Sequence, residues 1–184
     1  MVYVHLATGY EEIEALTTVD ILRRAGVEVQ LVSVEDSLTV ESTRGIRVEA
    51  DITFTQADYD RCSMIVLPGG MPGAVNLEAH EGLMNQVCRK ADEGGWIAEI
   101  CASPAVVLAP HGILEGKKAT VYPGMEDELL KYDAVPVTDG VVRDGNIITG
   151  KGPAYAAEFA LAVLEALEGR SKADEIAEDF LIER

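Results

Sequence analysis

The sequence predicts an α/β domain, a mainly parallel sheet covered by helices on both faces. Three observations point there. Short apolar runs alternate with longer helical segments along the chain. The length, 184 residues, suits one domain. No linker, low-complexity tract or internal repeat interrupts the alternation.

The elements follow in order. Residues 2–6 read as a buried strand. Thr8-Gly9-Tyr10-Glu11 places an acid three residues after a Thr, the capping-box spacing. A helix is expected from there to about Ala25, with Gly26 as its C-cap. Residues 27–34 form the next strand, and 40–49 read as short strands around Arg44-Gly45, a small hairpin flap. Residues 63–67 are a strand ending in Pro68-Gly69-Gly70. A helix over 81–92 stops at Gly94-Gly95. Residues 96–100 are a strand that runs into Cys101-Ala102-Ser103-Pro104 and an apolar helix to about Ala109. Pro104 fits the first turn, where a missing N–H does no harm. Residues 118–122 form a strand, and 141–149 a hairpin turning at Asp144-Gly145. Two helices close the chain, a strongly apolar one over 154–167 and an amphipathic one over 171–180.

Composition excludes several function classes. Lys and Arg total 15 and Asp and Glu 32, a formal net charge of −17. That balance argues against nucleic acid, whose affinity comes mainly from cations neutralising phosphates, and against anionic membrane surfaces. No apolar run approaches the roughly 18 residues needed to span a bilayer. Met1-Val2-Tyr3 enters a strand pattern with no basic stretch or cleavage site, which argues against a signal peptide. Cys62, Cys88 and Cys101 are odd in number and form no C-x-x-C pair. That suits a reducing, cytoplasmic setting and no disulfide scaffold. With His5, His80 and His111 scattered, no metal centre is indicated.

In an open parallel sheet, ligands bind beyond the carboxyl ends of the strands. The candidate segments are therefore 7–14, 68–73, 101–104 and 150–153. Neither a dinucleotide fingerprint nor a P-loop is present. Cys101 stands at a strand-to-helix junction, a turn of the nucleophile-elbow kind. The N–H groups and positive end of the following helix favour thiolate, so a depressed pKa is expected. Position alone leaves an activated thiol and an inert buried one equally open. Cys62 and Cys88 lack such a setting. Glu11, Glu12 and Glu14 crowd the first turn of a helix, where the dipole favours acids. Glu14 shares a partly apolar stripe with Thr18, Ile21 and Ala25, so it can turn inward and carry a proton. Helical phase does not select it alone, since Glu12 shares a face with Leu16 and Val19. His111 lies past Pro110, away from Cys101, so no Cys–His–Asp triad is supported.

The segments 9–14 (GYEEIE), 66–70 (VLPGG), 98–104 (AEICASP), 150–153 (GKGP) and 158–162 (EFALA) together resemble the ThiJ/PfpI superfamily. The likeness is strongest to the branch of the parkinsonism-associated protein deglycase and its bacterial relatives. It runs in the same order over nearly the whole chain. The resemblance implies a flavodoxin-like three-layer sandwich, class I glutamine amidotransferase-like, and a homodimer with interface candidates near Glu14 and Pro153. It implies Cys101 as nucleophile, Glu14 as proton shuttle, and the N–H groups of Gly70 and Ala102 as oxyanion donors. Gly69, Tyr122, Gly152 and Pro153 would contact substrate. The implied activity is that of a cofactor-independent glyoxalase or deglycase acting on small reactive carbonyl compounds. An oxidative-stress sensor or chaperone using Cys101 oxidation is the alternative, with a non-catalytic descendant the third reading.

Three residues depart from the pattern. Ala102 stands where the protease-like branch has His, which counts against peptidase activity. Tyr122 stands where animal members have His, and a phenol is a poor base at neutral pH. Glu99 replaces a small residue two positions before Cys101. Alternation puts both on one side of the strand, where an ionised Glu99 would oppose thiolate formation.

Overall fold

The computed structural model describes residues 1–183. The central strands are β1 (Val2–Leu6), β2 (Val29–Ser33), β6 (Met64–Leu67), β7 (Trp96–Ile100) and β11 (Ile147–Gly150). They are covered on both faces, so their sequences are near-continuous apolar runs rather than alternating ones. Between them, β3 (Thr39–Glu41) and β4 (Arg47–Glu49) pair antiparallel as the expected hairpin flap, and β5 (Ile52–Thr53) joins the sheet edge beside β2. Near the C-terminal side, β8 (Lys118–Ala119) pairs with β9 (Val135–Pro136), and β10 (Val141–Asp144) pairs antiparallel with β11. The main sheet runs β10-β11-β7-β6-β1-β2-β5, parallel except at the β10 edge.

Helices make the outer layers. On one face lie α1 (Glu12–Arg24), α5 (Ala156–Glu168) and α6 (Arg170–Asp179), packed over Val2, Val4, Leu6, Ala98 and Ile100. On the other lie α2 (Gly73–Glu78), α3 (Glu81–Asp92) and α4 (Glu126–Lys131), over Tyr3, Ile65, Leu67 and Ile97. This is the predicted three-layer α/β architecture. Among the described residues, no helix is long and apolar enough to cross a membrane.

Four local expectations change. Glu11, not Thr8, caps α1, its side chain accepting from the Glu14 N–H at 2.8 Å. Gly9 at φ +89° bends the chain first, so helical geometry starts later than the spacing suggests. After Cys101 there is no long helix: a single π-type turn over Pro104–Leu108 passes into a 3₁₀ turn over Ala109–His111. The strand expected over 118–122 is shortened to Lys118–Ala119 and lies outside the main sheet. Two short helices, α2 and α4, fill stretches whose few residues gave no readable periodicity.

The strand order places the site. From β1 the chain moves outward to β2 and β5, then returns to β6 on the other side of β1. The loops after β1 and β6 diverge at that switch and open a crevice, with the end of β7 beside it.

Candidate active site

Cys101 follows β7 at φ +66°, one of three non-glycine residues with positive φ among those described. A left-handed cysteine is a strained position that the surrounding contacts must hold. Its N–H donates to the Gly150 carbonyl (2.8 Å) and its carbonyl accepts from the Tyr122 N–H (2.8 Å). Ser103, fully buried, donates to the Pro68 carbonyl at 2.6 Å and ties the elbow to the loop after β6. The turn also reverses the expected side-chain alternation. Cys101 packs on the α1/α5 side with Ala98 and Ile100, whereas Glu99 shares its face with Ile97. Glu99 therefore does not bear on the sulfur, and the expected opposition to thiolate is absent.

Glu14 reaches the same point from α1. Of the three acids, Glu12 and Glu14 are both buried. Tertiary packing separates them: Glu12 acts on the Tyr10 phenol, while the Glu14 carboxyl and the Cys101 thiol act directly on each other. Glu14 Oε2 accepts from the Gly69 N–H at 2.8 Å. A Cβ at Gly69 would lie 2.5 Å from Cys101 Cβ and 2.8 Å from Glu14 Oε2. Gly69 is thus the spacer between the two groups and stands behind the cleft wall. Gly70, at φ +91°, lies against Gly9 and Glu11, and its N–H and that of Ala102 act on the sulfur.

The electrostatics differ from the expectation of a readily ionised thiol. Burial pushes the Cys101 thiol up to about 12, and the Glu14 carboxylate adds to the shift. The Gly70 and Ala102 N–H groups pull the other way. The following segment is only two short turns, too little helix to supply a strong dipole. Burial likewise raises Glu14 to about 7, with the Gly69 N–H opposing and the Glu11 charge reinforcing. Near neutrality Glu14 is therefore divided between its two forms. When it holds the proton, its repulsion of the thiolate is gone and it can donate to sulfur.

Cys101 is 8% exposed and opens onto a cleft of about 330 Å³. Gly70, Ala102, Tyr122 and Pro153 line it. Gly152 lies under the Tyr122 ring, 3.4 Å from where its Cβ would be, and lines an adjoining pocket with Tyr122 and Pro153. Glu11 and Met71, from the candidate segments 7–14 and 68–73, also line the cleft, and sequence reasoning missed Thr43, Arg44 and Met125 there. Their only signal was the Arg44-Gly45 turn, and nothing in sequence said where that flap docks. No histidine reaches the cleft: His5 meets the Tyr59 hydroxyl (2.7 Å), His80 caps α3, and His111 meets Glu78 (3.3 Å). Cys62 is buried, its thiol raised to about 11 by burial, and it donates to the Met64 carbonyl. Among the described residues, no group of His, Cys, Asp and Glu could hold a metal ion.

The chain matches the DJ-1/PfpI family over residues 1–166. It belongs to that family. The Drosophila melanogaster DJ-1/PfpI relative protein dj-1beta is 38% identical over 178 residues, covering 96% of this chain and 94% of that protein. Protein DJ-1 homolog B of Arabidopsis thaliana is 38% identical over 98% of this chain but 41% of its own length. The chain thus spans less than half of that relative. The glutathione-independent glyoxalase DJR-1.2 of Caenorhabditis elegans is 33% identical, over 90% of this chain and 87% of that protein. Among solved structures, oxidized Toxoplasma gondii DJ-1 superposes with a TM-score of 0.94 at 39% identity, covering 100% of this chain and 98% of that one.

Glu99 is the departure that the fold explains only in part. It is fully buried, and neither carboxyl oxygen has a hydrogen-bond partner among the described residues. Burial raises its pKa well above the ordinary carboxylate value, which favours the uncharged form.

Proposed function

We propose that this protein is a cofactor-independent glyoxalase-type enzyme that converts methylglyoxal or glyoxal to a 2-hydroxy acid. One observation carries the reading: a nucleophile-elbow cysteine and a buried carboxyl near its titration midpoint at pH 7 share a single site. The sulfur adds to the aldehyde carbon, its proton having passed to Glu14, and a hemithioacetal forms. The Gly70 and Ala102 N–H groups stabilise its oxygen. Glu14 passes the thiol's proton to that oxygen and, ionised again, takes the proton from the former aldehyde carbon and returns it to the neighbouring carbon, through an enediol. The resulting thioester of Cys101 is hydrolysed, releasing the 2-hydroxy acid and restoring the thiol. Electrons are redistributed within the substrate, so no external oxidant is required. Early glycation adducts offering the same carbonyl pair would be read as deglycase substrates. The glyoxalase name of the Caenorhabditis relative supports this reading.

The test is purified protein with methylglyoxal, following lactate. Cys101→Ala and Glu14→Gln should each abolish turnover; full activity in either variant sinks the mechanism.

A second reading is favoured by the oxidized state named for the Toxoplasma structure. Cys101 would be oxidised by peroxide to a sulfinate, with protonated Glu14 donating to one of its oxygens. Peroxide titration with mass spectrometry of the Cys101 peptide distinguishes the two. A second copy of the chain is the proposed partner, with exposed Ile13, Met71 and Val75 as contact candidates near α1, and light scattering reads the outcome.

A further inference from the structure

Glu99 exerts no charge effect on the Cys101 sulfur, yet it stands directly behind the backbone that holds it. In the sheet register Glu99 lies between Leu67 of β6 and Thr149 of β11. Register partners in parallel strands project to one face, so the carboxyl and the Thr149 hydroxyl rise from strands about 4.8 Å apart. Thr149 Oγ1 accepts from the Thr120 N–H at 3.0 Å. The Thr120 hydroxyl is buried and, like both Glu99 oxygens, has no partner among the described residues. Each of these three residues precedes a contact at Cys101. Glu99 leads through Ile100 into Cys101 itself. Thr149 precedes Gly150, whose carbonyl accepts from the Cys101 N–H. Thr120 leads through Val121 to Tyr122, whose N–H donates to the Cys101 carbonyl.

The chain beyond Cys101 returns over this same face, with Ala105, Val107 and Leu108 in its core. That cover is two short turns, Pro104–Leu108 and Ala109–His111, so opening it breaks few hydrogen bonds. The charged groups of the surrounding elements are engaged elsewhere. Lys90, the buried charge of α3, donates to the Cys62 carbonyl, and the Cys62 thiol donates to the Met64 carbonyl. Glu78 of α2 meets His111 near the surface. On α4 only Leu129 is buried, leaving Glu126, Asp127, Glu128 and Lys131 outside, and Lys118 of β8 is exposed. His5 of β1 and Tyr59 bond each other. Burial alone shifts the Glu99 carboxyl upward. An ionised carboxylate at this place has no counter-charge and must be reached by water.

We propose that Glu99 is a positioning residue that makes the Cys101 elbow responsive to pH. Uncharged, it leaves the three segments closed around Cys101; ionised, it draws water beneath the two turns and loosens the backbone contacts of Cys101. This coupling does not rest on the glyoxalase reading.

Amide exchange followed by NMR, each rate divided by its intrinsic value at that pH, reads the opening. The reporters are the N–H groups of Cys101, Thr120 and Tyr122. The controls are those of Val2 and Val34, bonded to the Glu28 and Leu6 carbonyls on the β1–β2 side of the sheet. Opening frees one proton from Glu99. From pH 5 to pH 8, reporter protection should therefore fall relative to the controls by up to about tenfold per pH unit. In Glu99→Gln, which cannot ionise, the reporter-to-control ratio should stay constant. Glu99→Leu, apolar and equally unable to ionise, takes its place if the amide variant fails to fold. A merely structural role would shift protection by one factor at every pH, without a slope. The iodoacetamide rate at Cys101, wild type over Glu99→Gln, should climb with pH alongside the exchange. Taking that ratio cancels the titrations of the thiol and of Glu14, which both proteins share. Reporters and controls losing protection together in wild type would put the effect on the whole fold and overturn the proposal. A reporter slope that persists in Glu99→Gln would overturn it too, as would an alkylation ratio flat across the range. Neither readout involves a substrate, so the glyoxalase reading stands or falls separately.

Discussion

Replacing Gly69 with Ala tests the central geometry with one methyl group. The added carbon would meet Cys101 Cβ at 2.5 Å, Glu14 Oε2 at 2.8 Å and the Ile100 carbonyl oxygen at 2.9 Å. Ordinary contacts of this kind sit near 3.5 Å or beyond, so each neighbour must yield by roughly half an ångström to one ångström. Two of the three belong to the backbone or its first side-chain atom, which moves only with the elbow. Overpacking of this sort costs about 1–3 kcal/mol. For a domain of this size that lowers Tm by very roughly 2–12 °C. The effect on chemistry should be larger, because the methyl separates the two groups that the proposed mechanism has exchange a proton. A displacement near one ångström at a reacting centre can cost about a hundredfold in rate. The assay pairs lactate formation with the iodoacetamide reactivity of Cys101 in the same preparation. A Gly69→Ala protein with wild-type turnover and unchanged Tm would refute the claim that Gly69 spaces the pair.

The remaining predictions concern neighbouring groups. Glu14→Gln should reduce turnover at least about a hundredfold, the usual scale for losing a proton-transfer group. It should simultaneously bring the Cys101 thiol down from about 12 by removing the carboxylate, read as thiolate absorbance against pH. Glu99→Gln should change the pH dependence of stability. The folded pKa of Glu99 is raised, so its contribution is complete below the unfolded carboxylate value near 4.3 and declines as pH rises toward the folded value. Across that window the variant should gain on wild type by about 1.4 kcal/mol per pH unit. Calorimetric curves that stay parallel from pH 5 to pH 8 would contradict a neutral buried acid. Ser103→Ala should lower stability by about 1–3 kcal/mol in urea titrations, because the buried Pro68 carbonyl loses its partner.

Much of the fold is legible in sequence because β1, β6, β7 and β11 are buried on both faces and read as largely apolar runs, with Glu99 in β7 the charged exception. Cys101 and Gly70 stand out because their positions, the residues following β7 and β6, are where this architecture puts function. Elements set by distant contacts were less readable. The turns after Cys101 carry helical residues, but the elbow is pinned by Ser103 to Pro68 and by Cys101 to Gly150 and Tyr122.

The amino-acid sequence by itself determined the layered α/β class, the placement of Cys101 at a strand end and the carboxyl-rich first turn, because burial and chain reversal leave local marks. Tertiary structure alone decided which glutamate meets the sulfur, which face Glu99 takes, and that Arg44 enters the cleft. Each of these depends on segments far apart in the chain arriving at one point. The same convergence sets the charge of the Cys101–Glu14 pair, since removal from water and closeness to another ionisable group are properties of the folded site.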